Sequence, residues 1–196
     1  MTRLRILFLS FLTSAAFAQT GYGIKGGLNI SDVVMTNYVN PDMESGLNLK
    51  LGLHAGAYVT GMVNERMGMS AELLYSDKGV KGSSDIHLRY ISLPLMMYYR
   101  LADHIFGELG PEPAYLFATG SKYGSVSGTY NNKFDLSLDG GLRFDAGNWL
   151  FGIRYCAGLF SVRDPEPLMA GTGKDQIKYQ NRVLQLWLGY RLWKLE

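Results

Sequence analysis

The residues of this chain with the widest chemical reach are His54, His87, His104 and Cys156, with Ser83 and Ser84 close to His87. The three histidines are far apart in sequence, and no two stand at a metal-ligand spacing. Cys156 is the single cysteine, so no intramolecular disulfide can form. No base accompanies it at a motif spacing, and it reads as a small packed residue, not a nucleophile. A serine beside a histidine can start acyl transfer, because the imidazole takes the hydroxyl proton. Ser83 or Ser84 with His87 is the one such pairing here, and a solvated loop histidine is the commoner meaning of that pattern. Gly21-Tyr22-Gly23 is not followed by a helix and makes no nucleotide loop. The sequence therefore assigns no catalytic residue, no cofactor site and no metal site.

The elements that would hold these residues are strands. In the stretch 90–117, Ile91, Leu93, Leu95, Met97 and Tyr99 are apolar at every second position, and Ser92, Pro94, Met96, Tyr98 and Arg100 alternate with them. Period two argues for a strand and against an amphipathic helix. Ala102, Asp103 and His104 suit a tight reversal. Beyond it, Ile105, Leu109, Tyr115 and Phe117 share one parity and Glu108, Gly110 and Glu112 the other. The same alternation marks residues 22–30, 47–59, 67–75, 134–144, 149–159 and 184–192, for eight strands in all. Polar segments at 31–46, 77–86, 118–133 and 161–181 join some of them, and short turns join the rest.

Composition agrees. Of the 196 residues 47% are hydrophobic and 18% charged, with 24 glycines and 13 tyrosines. That mix excludes disorder and favours strands and turns. The length suits one domain. Residues 1–18 carry Arg3 and Arg5, an apolar run at 6–12 and Ala16-Phe17-Ala18. These are the parts of a cleaved signal peptide, which leaves residues 19–196 as the domain. Without Arg3 and Arg5, 17 basic and 17 acidic residues remain. A neutral chain lacks the concentrated basic face that nucleic-acid binding requires.

The charged parity holds Lys25, Lys50, Glu72, Arg100, Glu108, Glu112, Asp135, Asp139, Arg143, Arg154 and Arg191, six bases against five acids. Near-balance suits an enclosed interior of paired ions. Even strand count, alternating connection lengths and one wholly apolar face together specify an eight-stranded antiparallel transmembrane β-barrel, an up-and-down meander. Lipid cannot hydrogen-bond the backbone, so a spanning sheet has to close. On this reading Leu51 and Leu186 point to lipid. Arg143, Arg154 and Arg191 point inward, with Glu72, Glu108, Asp135 or Asp139 as partners. Tyr22, Tyr99, Trp149 and Trp193 form a girdle at the turn ends, and Tyr75, Tyr90 and Phe117 one at the loop ends. Pro94, Pro111 and Pro113 each lack a ladder donor and are expected to sit at bulges.

GIKGGLNIS at 23–31, GLHAGAYV at 52–59, AELLYSDKG at 71–79, RYISLPLMMYYR at 89–100 and LQLWLGYRL at 184–192 resemble the small outer-membrane β-barrel family of Bacteroidetes, whose members are labelled porin-family or PorT-family. The resemblance spans nearly all of residues 19–196 and departs at the end, Trp193-Lys194-Leu195-Glu196, where such barrels often finish on an aromatic residue. It implies an outer-membrane location, contact with outer-membrane lipid and with the barrel-assembly machinery, and no catalytic residues. It leaves room for an extracellular or periplasmic protein partner. The expected function is non-enzymatic, exercised through envelope position or outer loops. Two alternatives stand beside it. A lipid-modifying membrane enzyme would use His87 with Ser83 or Ser84. A soluble lipocalin-like periplasmic barrel would have the reverse parity, apolar inside and charged outside.

Overall fold

The computed structural model describes residues 19–36, 49–81, 85–121, 132–161, 166–167 and 176–194. They form one antiparallel sheet of strands: β1 (Gln19–Thr36), β2 (Lys50–Met62), β3 (Met67–Val80), β4 (Ile86–Ser92), β5 (Leu95–Ala102), β6 (Ile105–Ser121), β7 (Phe134–Ala146), β8 (Trp149–Gly158), β9 (Glu166–Pro167) and β10 (Gln176–Lys194). β4 and β5 are two halves of one crossing, since both lie between β3 and β6. β9 only pairs with the first residues of β10. Eight crossings remain. Each pairs with its neighbour in the chain, and β1 pairs with β10 from Gly21↔Lys194 to Thr36↔Lys178, which closes the barrel. Among the described residues no helix is long and apolar enough to cross a membrane; the crossing elements are strands.

Closure turns the period-two sequence into two surfaces. Leu51 and Phe134 are each 71% exposed, while Arg154, Gln185 and Asp139 are 0% exposed. The exposed set also includes Leu28, Leu53, Leu73, Leu95, Met97, Leu109, Leu142, Ile153, Leu186 and Leu188. An apolar belt running round the whole barrel cannot face water and requires lipid. The reversed parity also excludes the lipocalin-like alternative. Tyr22, Tyr99, Trp149 and Trp193 lie outward at the turn ends, and Tyr75 and Phe117 lie outward with ring centroids 6.1 Å apart.

Three short turns close one end of the barrel. At residues 63–66 the Asn64 Oδ1 accepts from the Arg66 and Met67 amides at 2.9 and 2.8 Å. The others are at residues 103–104 and 147–148, where Gly147 takes a φ of 62° that side chains disfavour.

The structure corrects the sequence reading in three places. The strands run further toward the loop end than alternation indicated: residues 77–80 belong to β3, 118–121 to β6 and 176–181 to β10. Near a polar lumen the inward residues are polar, so a strand end there reads as loop. Tyr90 is fully buried inside the barrel and takes no part in the outer girdle. It shares the parity of Ser92, and the register of β4 on β6 shifts beside it, between Arg89 and Tyr90. Pro111 and Pro113 cause no bulge, because β6 stays in register with β7 through both. The Pro113 carbonyl accepts from the Leu93 amide at 2.8 Å. N and O of a strand residue point the same way, so both prolines turn their donorless side to the β4–β5 crossing. That crossing is itself interrupted at Leu93 and Pro94. The missing donors meet at one gap instead of breaking two ladders.

Leu186 faces outward between Leu28 of β1 and Ile153 of β8. Leu186→Arg should cost about 2–4 kcal/mol in folding free energy, the range for a lipid-facing charge near the midplane. Urea unfolding from liposomes measures it, and an unchanged midpoint would reverse the assignment of faces.

Candidate functional site

Inward parity alone brings together side chains that are far apart in sequence. Lys25 on β1 donates to both Glu72 oxygens on β3, at 3.0 and 2.8 Å. Arg154 on β8 meets the same carboxylate with two guanidinium nitrogens, at 3.1 and 2.8 Å, and reaches Glu108 on β6 at 3.0 Å. Glu108 lies 3.5 Å from Arg143 on β7. Arg143 Nε donates to Asp145 at 2.7 Å, and the other Asp145 oxygen accepts from Arg191 on β10 at 3.1 Å. Charges thus alternate without a break from mid-barrel to the turn-end mouth: Lys25, Glu72, Arg154, Glu108, Arg143, Asp145, Arg191. Such alternation lets buried charges persist, because each is offset by a neighbour of opposite sign in hydrogen-bond contact.

Large rings fill the space around this chain. Lys25 Nζ sits 3.8 Å from the Trp187 ring centroid, and the Arg143 guanidinium 4.1 Å from that of Tyr98. Glycine makes the room: a side chain at Gly152 would occupy the Trp187 indole, and one at Gly68 would occupy the Tyr98 ring.

Toward the loop end the pattern changes. Lys78 donates to Glu112 at 2.7 Å, with both side chains almost wholly buried. In the sequence Lys78 falls within the polar segment 77–86, where alternation marks no strand, so this pair is not visible there. Asp139 accepts from Ser137 at 2.7 Å and Asp135 from Asn181 at 2.6 Å, so neither is held by an arginine as expected. Beyond them Val33, Leu88, Tyr90, Ala114 and Leu116 form a buried apolar cluster, with Val80, Ile86 and Tyr179 packed against it. The lumen is therefore ionic along its length and plugged by hydrocarbon toward the loops. The inward polar set did not reveal that plug. Its sequence signal is apolar residues on both parities, as at Leu88 to Ile91 and Tyr115 to Phe117.

Among the described residues, His54, His87, His104 and Cys156 are not brought together. His54 is buried in the lumen, its Nδ1 2.8 Å from Asn29 Oδ1. His104 lies in an exposed turn against Phe144. His87 is held at 2.9 Å by Asp77, which also pairs with Lys50 at 3.1 Å. An Asp–His contact can orient an imidazole, but Ser83 and Ser84 lie outside the described residues. Cys156 is buried, and its sulfur lies within 4.8 Å of carboxylate oxygens of Glu112 and Asp139. These three come from β8, β6 and β7, which no sequence spacing could indicate. One member, Glu112, is already committed to Lys78.

Arg154 is the junction of the charge chain. Arg154→Ala leaves Glu72 sharing only Lys25 and strips Glu108 of its closer partner. The loss should be about 3–5 kcal/mol, against under about 0.5 kcal/mol for the exposed Lys81→Ala. Parallel unfolding curves measure both, and equal small effects would deny the lumen its ionic packing.

No curated protein sequence matches the chain significantly. Among solved structures, the neisserial surface protein A is similar with a TM-score of 0.53 and 9% identity, over 89% of this chain and 99% of that one. At that identity the likeness is one of fold. The attachment invasion locus protein Ail of Yersinia pestis has a TM-score of 0.46 and 16% identity, over 89% of this chain and 98% of that one. OprG of Pseudomonas aeruginosa has a TM-score of 0.38 and 14% identity, over 90% and 96%. The family described as "Outer membrane protein beta-barrel domain" matches residues 17–164, most of the chain. With its lipid-facing belt and closed eight-strand barrel, the chain belongs to this outer membrane β-barrel family and resides in the outer membrane.

Proposed function

We propose that the protein is a sealed, non-enzymatic barrel that works through its place in the envelope and through its outer loops, and does not pass solutes. What carries this reading is the filled lumen. An eight-stranded barrel has an interior about wide enough for side chains to fill, whereas wide aqueous channels use roughly 16–18 strands. Here the Lys25-to-Arg191 charge chain and the Trp187 and Tyr98 rings occupy the turn-end half. The Val33–Leu88–Tyr90–Leu116 cluster occupies the loop end. An ion entering from either side meets a fixed counter-charge or hydrocarbon.

On the same reading residues 1–18 are a signal peptide removed before assembly, and the barrel-assembly machinery inserts residues 19–196. The PorT-like sequence motifs fit a Bacteroidetes branch of the family. Segments 31–46, 118–133 and 161–181, or the parts of them beyond the strand ends, supply the surface for an extracellular partner. No catalytic, cofactor or metal residue is part of this function.

Refolded protein in planar bilayers should show no stable conductance steps. Large, reproducible steps would establish a continuous channel and refute the sealed reading.

A further inference from the structure

The alternating chain of lumen charges ends on a cation at the short-turn end, the side that bacterial outer-membrane barrels turn to the periplasm. There a recess of about 120 Å³ is lined by Arg100, Arg143, Arg191, Asp145, Tyr98 and Phe106, among others. Three guanidinium groups share it with one carboxylate. Asp145 is used up between Arg143 and Arg191. Glu108 approaches Arg143 at 3.5 Å but is held closer, at 3.0 Å, by Arg154. Among the described residues Arg100 has no acidic partner; its guanidinium only stacks 5.6 Å from the Phe106 ring. The wall thus carries about two positive charges more than it neutralises.

Two of the three guanidiniums, those of Arg143 and Arg191, are also held in position. The two oxygens of Asp145 fix Arg143 and Arg191 side by side. The rings of Tyr98 and Phe106 back Arg143 at 4.1 and 4.6 Å. Arg191 is further tied to the Gly147 carbonyl at 3.2 Å. The Tyr98 hydroxyl is itself fixed, 2.8 Å from Thr60 Oγ1 and donating to the Gly61 carbonyl at 3.0 Å. Planar guanidinium forks suit phosphate oxygens, and pre-ordering reduces the entropy lost on binding.

We propose that this periplasmic mouth is a binding site for one phosphate group, which completes the alternation of charge beyond Arg191 and Arg100. A tetrahedral oxyanion offers oxygens to three donors at once, where a carboxylate offers two in one plane. The recess, at about 120 Å³, has room for one such group and its waters. The phosphate is either free in the periplasm or the headgroup of a phospholipid in the facing leaflet. The site does not depend on whether the lumen conducts.

The test is calorimetric titration of the refolded barrel in maltoside micelles with inorganic phosphate, at ionic strength held constant with chloride. Saturable binding of one phosphate per barrel is expected, about tenfold weaker in Arg100→Gln and unchanged in Lys81→Gln. Arg100 takes part in no ion pair among the described residues, so this variant retains the fold. Repeating the titration in phosphatidylglycerol nanodiscs separates the sources. Undiminished binding there supports free phosphate. Binding blocked in wild-type nanodiscs but present in micelles supports the headgroup. Heat no greater than a matched chloride titration, or equal affinity in Arg100→Gln and wild type, would overturn the proposal.

Discussion

A lipid bilayer offers no partner to a backbone N–H or C=O, and that constraint underlies the rest of this molecule. It forces β1 onto β10 and leaves no free edge. Once the sheet is closed, every strand has one face in hydrocarbon and one in the lumen. The ordinary sorting of a soluble protein is reversed: leucine, isoleucine and phenylalanine lie outside, and arginine, glutamate and lysine inside. The hydrophobic effect then acts chiefly between protein and lipid, and cohesion across the barrel falls to charges and rings.

That cohesion is why the lumen is so regular. A buried charge is tolerable only when paired and hydrogen-bonded. With Glu72 shared by Lys25 and Arg154, and Asp145 shared by Arg143 and Arg191, each acid serves two bases. The arrangement ties β1, β3, β6, β7, β8 and β10 together across the interior, so neighbours in space are 46 to 82 residues apart in sequence where Arg154 meets Glu108 and Glu72. Glycines beside the large rings have the same cause: Gly152 pairs with Trp187 and Gly68 with Tyr98 on adjacent strands, and each ring lies over the place a side chain there would take. Pro111 and Pro113 fit because their donorless sides face the gap at Leu93 and Pro94, while Pro94 itself faces β3, where its carbonyl accepts from the Glu72 amide at 2.9 Å.

The chemistry of the lumen differs between its ends. Toward the loops Lys78, Glu112, Asp139 and Asp135 give way to the Val33–Tyr90 hydrocarbon cluster. Toward the turns the charge chain ends in arginine at an open mouth. An asymmetric lumen gives the two sides of the membrane different surfaces to meet, without any catalytic constellation being needed.

Period-two alternation by itself determined the strand content, the number of crossings, the closure and the face of nearly every residue, because in a closed sheet parity is the only local variable. It correctly put Arg143, Arg154, Glu72 and Glu108 indoors. It did not decide where strands end, because the polar lumen makes Asp77 and Lys78 look like loop. Nor did it decide which acid meets which base, because partners across a barrel are chosen by tilt, register and side-chain reach, none of which is written in spacing. Only the tertiary structure gave Arg143 and Arg191 to Asp145, left Asp135 to Asn181, and assembled Arg100, Arg143 and Arg191 around one recess. These are relations between strands, and a strand's own sequence carries only its relation to lipid and lumen.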